Sequence, residues 1–132
     1  MMGIFKTLLA IFIVVAFFAL VIHFIYTIYA VFCGAVFIPT SKRNVKRMLE
    51  LGKPSSEDTV LDLGSGDGRI LIACAKEGAK KCIGIEINPM LVFISKLKAK
   101  FLGYKNVETK CDDIWKTDLS DVDLLTLFFV PV

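Results

Sequence analysis

The sequence predicts an α/β fold, a parallel sheet carried behind an N-terminal helix long enough to cross a bilayer. Three observations predict it. The first 38 residues are almost uninterruptedly apolar. Beyond them, short apolar segments with strand character alternate with longer ones of helical period. Each of the first three strand-like segments carries or meets an acid at its C-terminal end.

Composition agrees with two unlike pieces. The chain has 132 residues, 55% of them hydrophobic. Its mean hydropathy of +0.66 is too high for a disordered chain or an ordinary soluble domain. Charged residues still make up 22%, too many for a pure membrane bundle. Sixteen Lys and Arg against 13 Asp and Glu leave a net charge of +3, too weak a bias to indicate a nucleic-acid partner.

Residues 1–38 form the anchor. Every residue from Leu8 to Ile22 is apolar, and Lys6 is the only charged side chain before Lys42. A helix over Ile4–Ile38 would be about 50 Å long against about 30 Å of hydrocarbon, so one tilted helix is expected to contact the bilayer through residues 4–38. Tyr26, Tyr29 and Phe32 suit an aromatic belt at the exit. A two-helix hairpin lacks a turn sequence, and a cleaved signal peptide would not need so long a run. His23 has no acidic partner in the segment and reads as a neutral, hydrogen-bonded side chain. Lys42, Arg43, Lys46 and Arg47 place the exit on the cytoplasmic side, or the equivalent side of an organelle. The expectation is a single-pass protein with its N-terminus outside.

Residues 39–54 read as a basic amphipathic linker helix. Thr40 or Ser41 can cap it, Val45, Met48 and Leu49 give its apolar face, and Gly52 and Pro54 stop it. It would touch anionic headgroups, pack over the mouth of the following domain's pocket, or do both.

Residues 55–132 carry the chemistry. Strands are expected at Thr59–Leu63, Lys81–Glu86, Asn106–Cys111 and Asp123–Val130. Between the first and a helix at Ile70–Ala75 lies Asp62-Leu63-Gly64-Ser65-Gly66-Asp67-Gly68-Arg69. Strand, glycine turn and helix open a nucleotide-binding, Rossmann-like sheet. The spacing is G-x-G-x-G, with Arg69 where a dinucleotide fingerprint has its third glycine, which argues against an NAD-binding domain. Asp62 would repel a pyrophosphate and welcome a cationic ligand. S-adenosylmethionine is one.

These residues resemble motif I of the class I S-adenosylmethionine-dependent methyltransferases, D/E-x-G-x-G-x-G. The resemblance makes Gly64, Ser65, Gly66 and Gly68 the cofactor loop. It implies that Glu86, with Ile87 beside it, holds the ribose hydroxyls, that Asp113 bonds the adenine amino group, and that Ile114 packs on the ring. Gly-Ser-Gly-Asp-Gly-Arg, Gly84-Ile85-Glu86-Ile87-Asn88-Pro89 and Asp113-Ile114-Trp115-Lys116, after an N-terminal membrane segment, are similar to a narrower group. That group is the membrane-anchored protein lysine methyltransferases of the ATP synthase c subunit and adenine nucleotide translocase type, with their prokaryotic relatives. The implied partner is a membrane-associated protein substrate, methylated on a lysine.

No general base can be named, so the catalytic residues stay unknown, and no metal site is expected. Asp67 and Arg69 read as a capping pair, and Trp115 as a packing residue. In Pro89–Leu102, Met90, Phe93, Ile94, Leu97 and Phe101 make one apolar face, expected to meet the sheet, with Lys96, Lys98 and Lys100 on or near the other. Cys33, Cys74, Cys82 and Cys111 have no metal or redox spacing and read as small core residues.

The sheet reads as partial, truncated after its fourth strand, with Val130-Pro131 at the start of the segment that lines the transfer site in the class it resembles. A completing chain is therefore a candidate partner. Two other functions fit the same residues: a non-catalytic or partner-dependent membrane-anchored cofactor-binding fragment, and a methyltransferase acting on RNA or a small molecule. Phe128-Phe129-Val130-Pro131 is unlike the motif of base-amino methylation, and no nucleic-acid partner is expected.

Overall fold

The structure, a computed structural model, describes the backbone of residues 2–32 and 37–128 and the side chains of residues 4–28 and 37–128. It divides into two compact units, Met1–Val36 and Phe37–Val132.

The first unit is α1, one unbroken helix over Met2–Phe32. Its stretch Ile4–Ile28 is long and apolar enough, by length and composition, to cross a membrane. Large side chains such as Phe5, Phe12, Phe18 and Phe24 are exposed around its whole circumference, the pattern of a helix whose surroundings are apolar on every side. No turn divides it, so the hairpin alternative falls within these residues. Thr27 donates its hydroxyl to the carbonyl of His23 at 2.9 Å, satisfying that side chain within the helix. Tyr29, Phe32, Cys33 and Gly34 of the expected exit lie outside the described side chains.

The second unit begins with an irregular segment and α2 (Lys42–Gly52). Ser41 caps α2 by accepting from the Asn44 amide at 3.2 Å, and Lys53 ends it in the left-handed conformation at φ 46°. Val45, Met48 and Leu49 pack on the core, as the i, i+3, i+4 pattern requires.

Then follow β1 (Thr59–Leu63), α3 (Arg69–Lys76), β2 (Lys81–Glu86), α4 (Pro89–Phe101), β3 (Val107–Cys111), a short 3₁₀ turn (Ile114–Lys116) and β4 (Leu124–Leu127). The strands form one parallel sheet in the order β3-β2-β1-β4. Leu61 lies opposite Ile83 on one side and Leu125 on the other. The order reverses at β1, so a crevice is expected beyond the carboxyl ends of β1 and β4. The core is Val60, Ile70, Leu71, Cys74, Ala75, Ala79 and Cys82. Burial pushes the Cys74 thiol up to about 12 and the Cys82 thiol up to about 11, as for inert core residues.

Three expectations are corrected. The apolar face of α4 does not meet the sheet. Val92, Ser95 and Ala99 do, while Met90, Phe93, Leu97 and Phe101 point outward. Ser95 is small because the glycine loop comes close: a Cβ on Gly68 would collide with Ser95 Oγ. Cys111 is exposed rather than a core residue. Trp115 does not pack either and is 88% exposed.

Candidate functional site

The site forms where β1 and β2 end. The turn after β1 needs three residues in the left-handed region, and glycine supplies each: Gly64 at φ 73°, Gly66 at 54° and Gly68 at 77°. Gly64 and Ser65 donate their amides to the carbonyl of Ile85 at 2.9 and 3.0 Å, which folds the loop over the end of β2. Gly84 has to be glycine for the same reason, since a Cβ there would meet Ser65 Oγ and Leu71 Cδ1 at 2.5 Å.

Glu86 locks this arrangement. Its Oε2 accepts from the Gly66 amide at 2.9 Å and its Oε1 from the Asn88 amide at 2.8 Å. Asn88 caps α4, and Pro89 opens the helix. Each carboxylate oxygen of Glu86 keeps a second lone pair, so it can still accept from a ligand.

Asp62 lies beneath the loop, 1% exposed. Its Oδ1 accepts from the Thr126 hydroxyl on β4 at 2.7 Å, while Oδ2 has no partner among the described residues. Burial pushes its carboxyl up to about 7, the Thr126 bond offsets part of this, and the negative charge of Glu86 adds to it. Ser65 Oγ is likewise buried without a partner. Two buried carboxylates therefore face one glycine turn, and neither has a cation paired to it among the described residues.

The other end of the loop is charged and closed. Asp67 accepts from Nε and Nη2 of Arg69, each at 2.9 Å, and Lys98 from α4 joins it. Burial alone would raise the Asp67 carboxyl, but the bonds from Arg69 and Lys98 outweigh it and hold it at about 2. Arg69 also donates to the carbonyl of Thr40 at 2.8 Å. Thr40 is buried, and the Phe37 ring lies so close to Gly66 that a Cβ there would collide with it. Phe37 and Thr40 are site-side residues that the sequence pattern does not reveal as such. The signal is faint: Pro39-Thr40 breaks the apolar run, but Phe37 is indistinguishable from the anchor residues before it.

Of the expected cofactor residues, the structure brings Asp62, Gly64, Ser65, Gly66, Gly68 and Glu86 together around one turn. Ile87 follows Glu86, half-buried, and its carbonyl accepts from Cys111 Sγ at 3.6 Å. Asp113 and Ile114 stand at the same end of the sheet, where Asp113 caps the 3₁₀ turn by accepting from the Trp115 amide at 3.0 Å. Among the described residues no hydrogen bond joins either to the glycine loop.

A parallel α/β sheet with a three-glycine turn over an acid, and a second acid ending the next strand, is the architecture of the class I methyltransferases. The solved structure of an RNA methyltransferase from Salinibacter ruber, in complex with S-adenosyl-L-homocysteine, superposes with a TM-score of 0.68 at 43% identity, over 71% of this chain and 62% of that one. The profile of the ANTKMT methyltransferase domain matches residues 62–132, more than half of the sequence, and the chain belongs to that family. The lysine N-methyltransferase of the ATP synthase c subunit from Xenopus laevis is 38% identical over 96 residues, 72% of this chain and 42% of that protein. The protein-lysine N-methyltransferase of Saccharolobus islandicus (strain REY15A) is 34% identical over 96 residues, 71% of this chain and 60% of that protein. The chain thus spans about half the length of these curated relatives.

Proposed function

We propose that this chain carries the cofactor-binding half of an S-adenosylmethionine-dependent methyltransferase that modifies a lysine of a membrane-associated protein, and that the apolar helix over Ile4–Ile28 anchors it. The observation that carries the reading is the pair of buried acids, Asp62 and Glu86, under a glycine turn with no cation to neutralise them among the described residues. A ligand with an ammonium and a sulfonium group supplies the missing positive charge, and one without phosphate meets no repulsion from the acids. The residues fit that cofactor. Glu86 has lone pairs for the ribose hydroxyls, Gly64, Ser65, Gly66 and Gly68 allow close backbone approach, and Asp113 and Ile114 stand at the adenine end. Asp62 acts from beneath the loop, through its free Oδ2 and its charge.

When bound, the cofactor supplies an already activated methyl group. The protein's part is to align the acceptor and exclude water. The lysine specificity rests on the relatives described as protein-lysine methyltransferases. A second reading, methylation of RNA, is favoured by one observation, the 43% identity to the Salinibacter ruber enzyme.

The test has two parts. Calorimetry on the full chain in detergent should detect S-adenosylmethionine binding that Asp62→Ala and Glu86→Ala each abolish. Unchanged affinity in both variants would overturn the site. Labelled methyl transfer, offered separately to membrane proteins and to total RNA, then decides the acceptor. Label on a protein lysine supports the first reading, and label on RNA alone replaces it with the second.

A further inference from the structure

The outward face of α4 is exposed, although it carries the larger apolar side chains of the helix. Met90, Phe93, Leu97 and Phe101 are 39, 59, 41 and 81% exposed. At about 100° per residue they fall within an arc of roughly 80°. Lys96 and Lys100 border this strip on one side and Lys98 on the other, and α4 contains no acidic residue. Lys98 also lines a groove of about 440 Å³ against α2 and α3, on whose walls Lys42, Lys46 and Lys76 stand. Asp67 engages Arg69 and Lys98 there, and Lys46 pairs with Glu50 at 3.8 Å, which leaves Lys42 and Lys76 on walls that also carry Glu77.

An apolar strip alone does not choose its partner, but this one is bordered along one edge by Lys96 and Lys100, which have no ion pair among the described residues. Packing two copies strip to strip would bring together Lys96 and Lys100 from each with no acid on either α4 to pair them. A surface that is apolar below and anionic above answers both features at once. We propose that α4 lies on an anionic lipid surface, with Phe93, Leu97 and Phe101 at the acyl boundary and Lys96 and Lys100 against headgroup phosphates. The inference rests on the proposed membrane location only in that α1 would bring the domain to a bilayer. The strip and its lysine border belong to the second unit alone.

The test uses the full chain reconstituted in phosphatidylcholine–phosphatidylserine vesicles with mid-chain brominated lipids. Trp115→Phe removes the single native tryptophan, and a reporter is introduced by Phe93→Trp or, for the span, by Phe17→Trp. Position 93 is exposed, so the exchange should not disturb folding. The expected result is a blue-shifted emission at position 93 that brominated lipid quenches by about half. Adding Lys96→Glu with Lys100→Glu, or omitting phosphatidylserine, should remove most of that quenching. Quenching at position 17 but not at 93 overturns the docking and leaves the span intact. No quenching at either position overturns both. A blue shift at 93 without quenching means a protein covers the strip, and quenching indifferent to phosphatidylserine means the lysines do not contribute; either result overturns the proposal.

Discussion

Asp62 and Asp67 flank the same glycine turn, yet their carboxyls are held on opposite sides of the ordinary range, at about 7 and about 2. Both lose water to burial, which raises an acid. They differ in what replaces the water. Asp67 receives a guanidinium and an ammonium, which tie the glycine loop, α3 and α4 to the segment at Thr40. Asp62 receives one hydroxyl and the repulsion of Glu86. One end of the turn is a finished structural clamp, while the other is left electrostatically incomplete. Stability alone does not account for a buried acid with a free oxygen. The proposed site, which has to attract a cationic cofactor, does.

The largest test of this contrast is the pH dependence of the ligand-free fold. A carboxyl raised from 3.8 to about 7 is protonated in the folded chain while the unfolded chain has already ionised. Its stabilising contribution is therefore full below the unfolded value near pH 4 and is lost as pH rises through 7. The loss should be on the order of 4 kcal/mol, read as a falling urea midpoint by circular dichroism. Asp62→Asn should flatten that slope and stabilise the chain at pH 8, while weakening cofactor binding. A midpoint of the wild-type chain that does not fall between pH 4 and 7 would remove the distinction between the two acids.

Gly68→Ala attacks the turn that joins them. The left-handed backbone costs about 1–2 kcal/mol for a residue with a Cβ, and the contact with Ser95 adds about 1–3 kcal/mol of overpacking. Gly78→Ala is the matched control: φ is 97°, and nothing lies within 4 Å of the added Cβ. The urea midpoint should drop clearly further for Gly68→Ala. Equal drops would mean that the loop is not packed against α4 as described.

Asp67→Asn should cost less. The Asp67 carboxyl is depressed, so its contribution is present above pH 4 and lost as pH falls toward 2. Allowing for solvent screening of the partly exposed Arg69 and Lys98, the loss at pH 7 should be about 1 kcal/mol. It should shrink below pH 3, and a deficit that stayed constant down to pH 2 would show that the pairing is not what stabilises the clamp.

The incomplete end of the turn is legible in the sequence, and the clamp is not. β1, β2 and β3 and helix α3 fall within a residue of where apolar runs and glycines place them, because those signals are local. Asp62, Glu86 and the three loop glycines stand out for the same reason. The clamp depends on Lys98, which stands 31 residues from Asp67, and no spacing rule connects them. The orientation of α4 differs from expectation because a helical period identifies an apolar face without saying what it packs against. Here the approach of Gly68 to Ser95 admits the small face and turns the larger one outward. Phe37 and Thr40 read with or next to the anchor because an apolar run carries no internal mark of where lipid ends and loop begins.

The finest test acts on Asp62 through its one partner. The Thr126 hydroxyl donates to Oδ1 at 2.7 Å and lies opposite Asp62 across β1 and β4. That bond favours the charged acid, so it holds the carboxyl below where burial and Glu86 would put it. Thr126→Val keeps the β-branched shape on the strand and removes only the donor. A bond to a charged group contributes about 1.5 kcal/mol, so the stability transition assigned to Asp62 should move to a midpoint higher by about one pH unit. At pH 5, where the acid is protonated in either protein, the two chains should be nearly equal in stability. At pH 8 the variant should be the weaker, because it must ionise the same buried acid without help. The same comparison in the Asp62→Asn background isolates the pair: there Thr126→Val should leave no pH-dependent difference. If the difference persists without the carboxylate, Thr126 acts on the strand and not on the acid, and the electrostatic account of the open end of the turn has to be rebuilt around Glu86 alone.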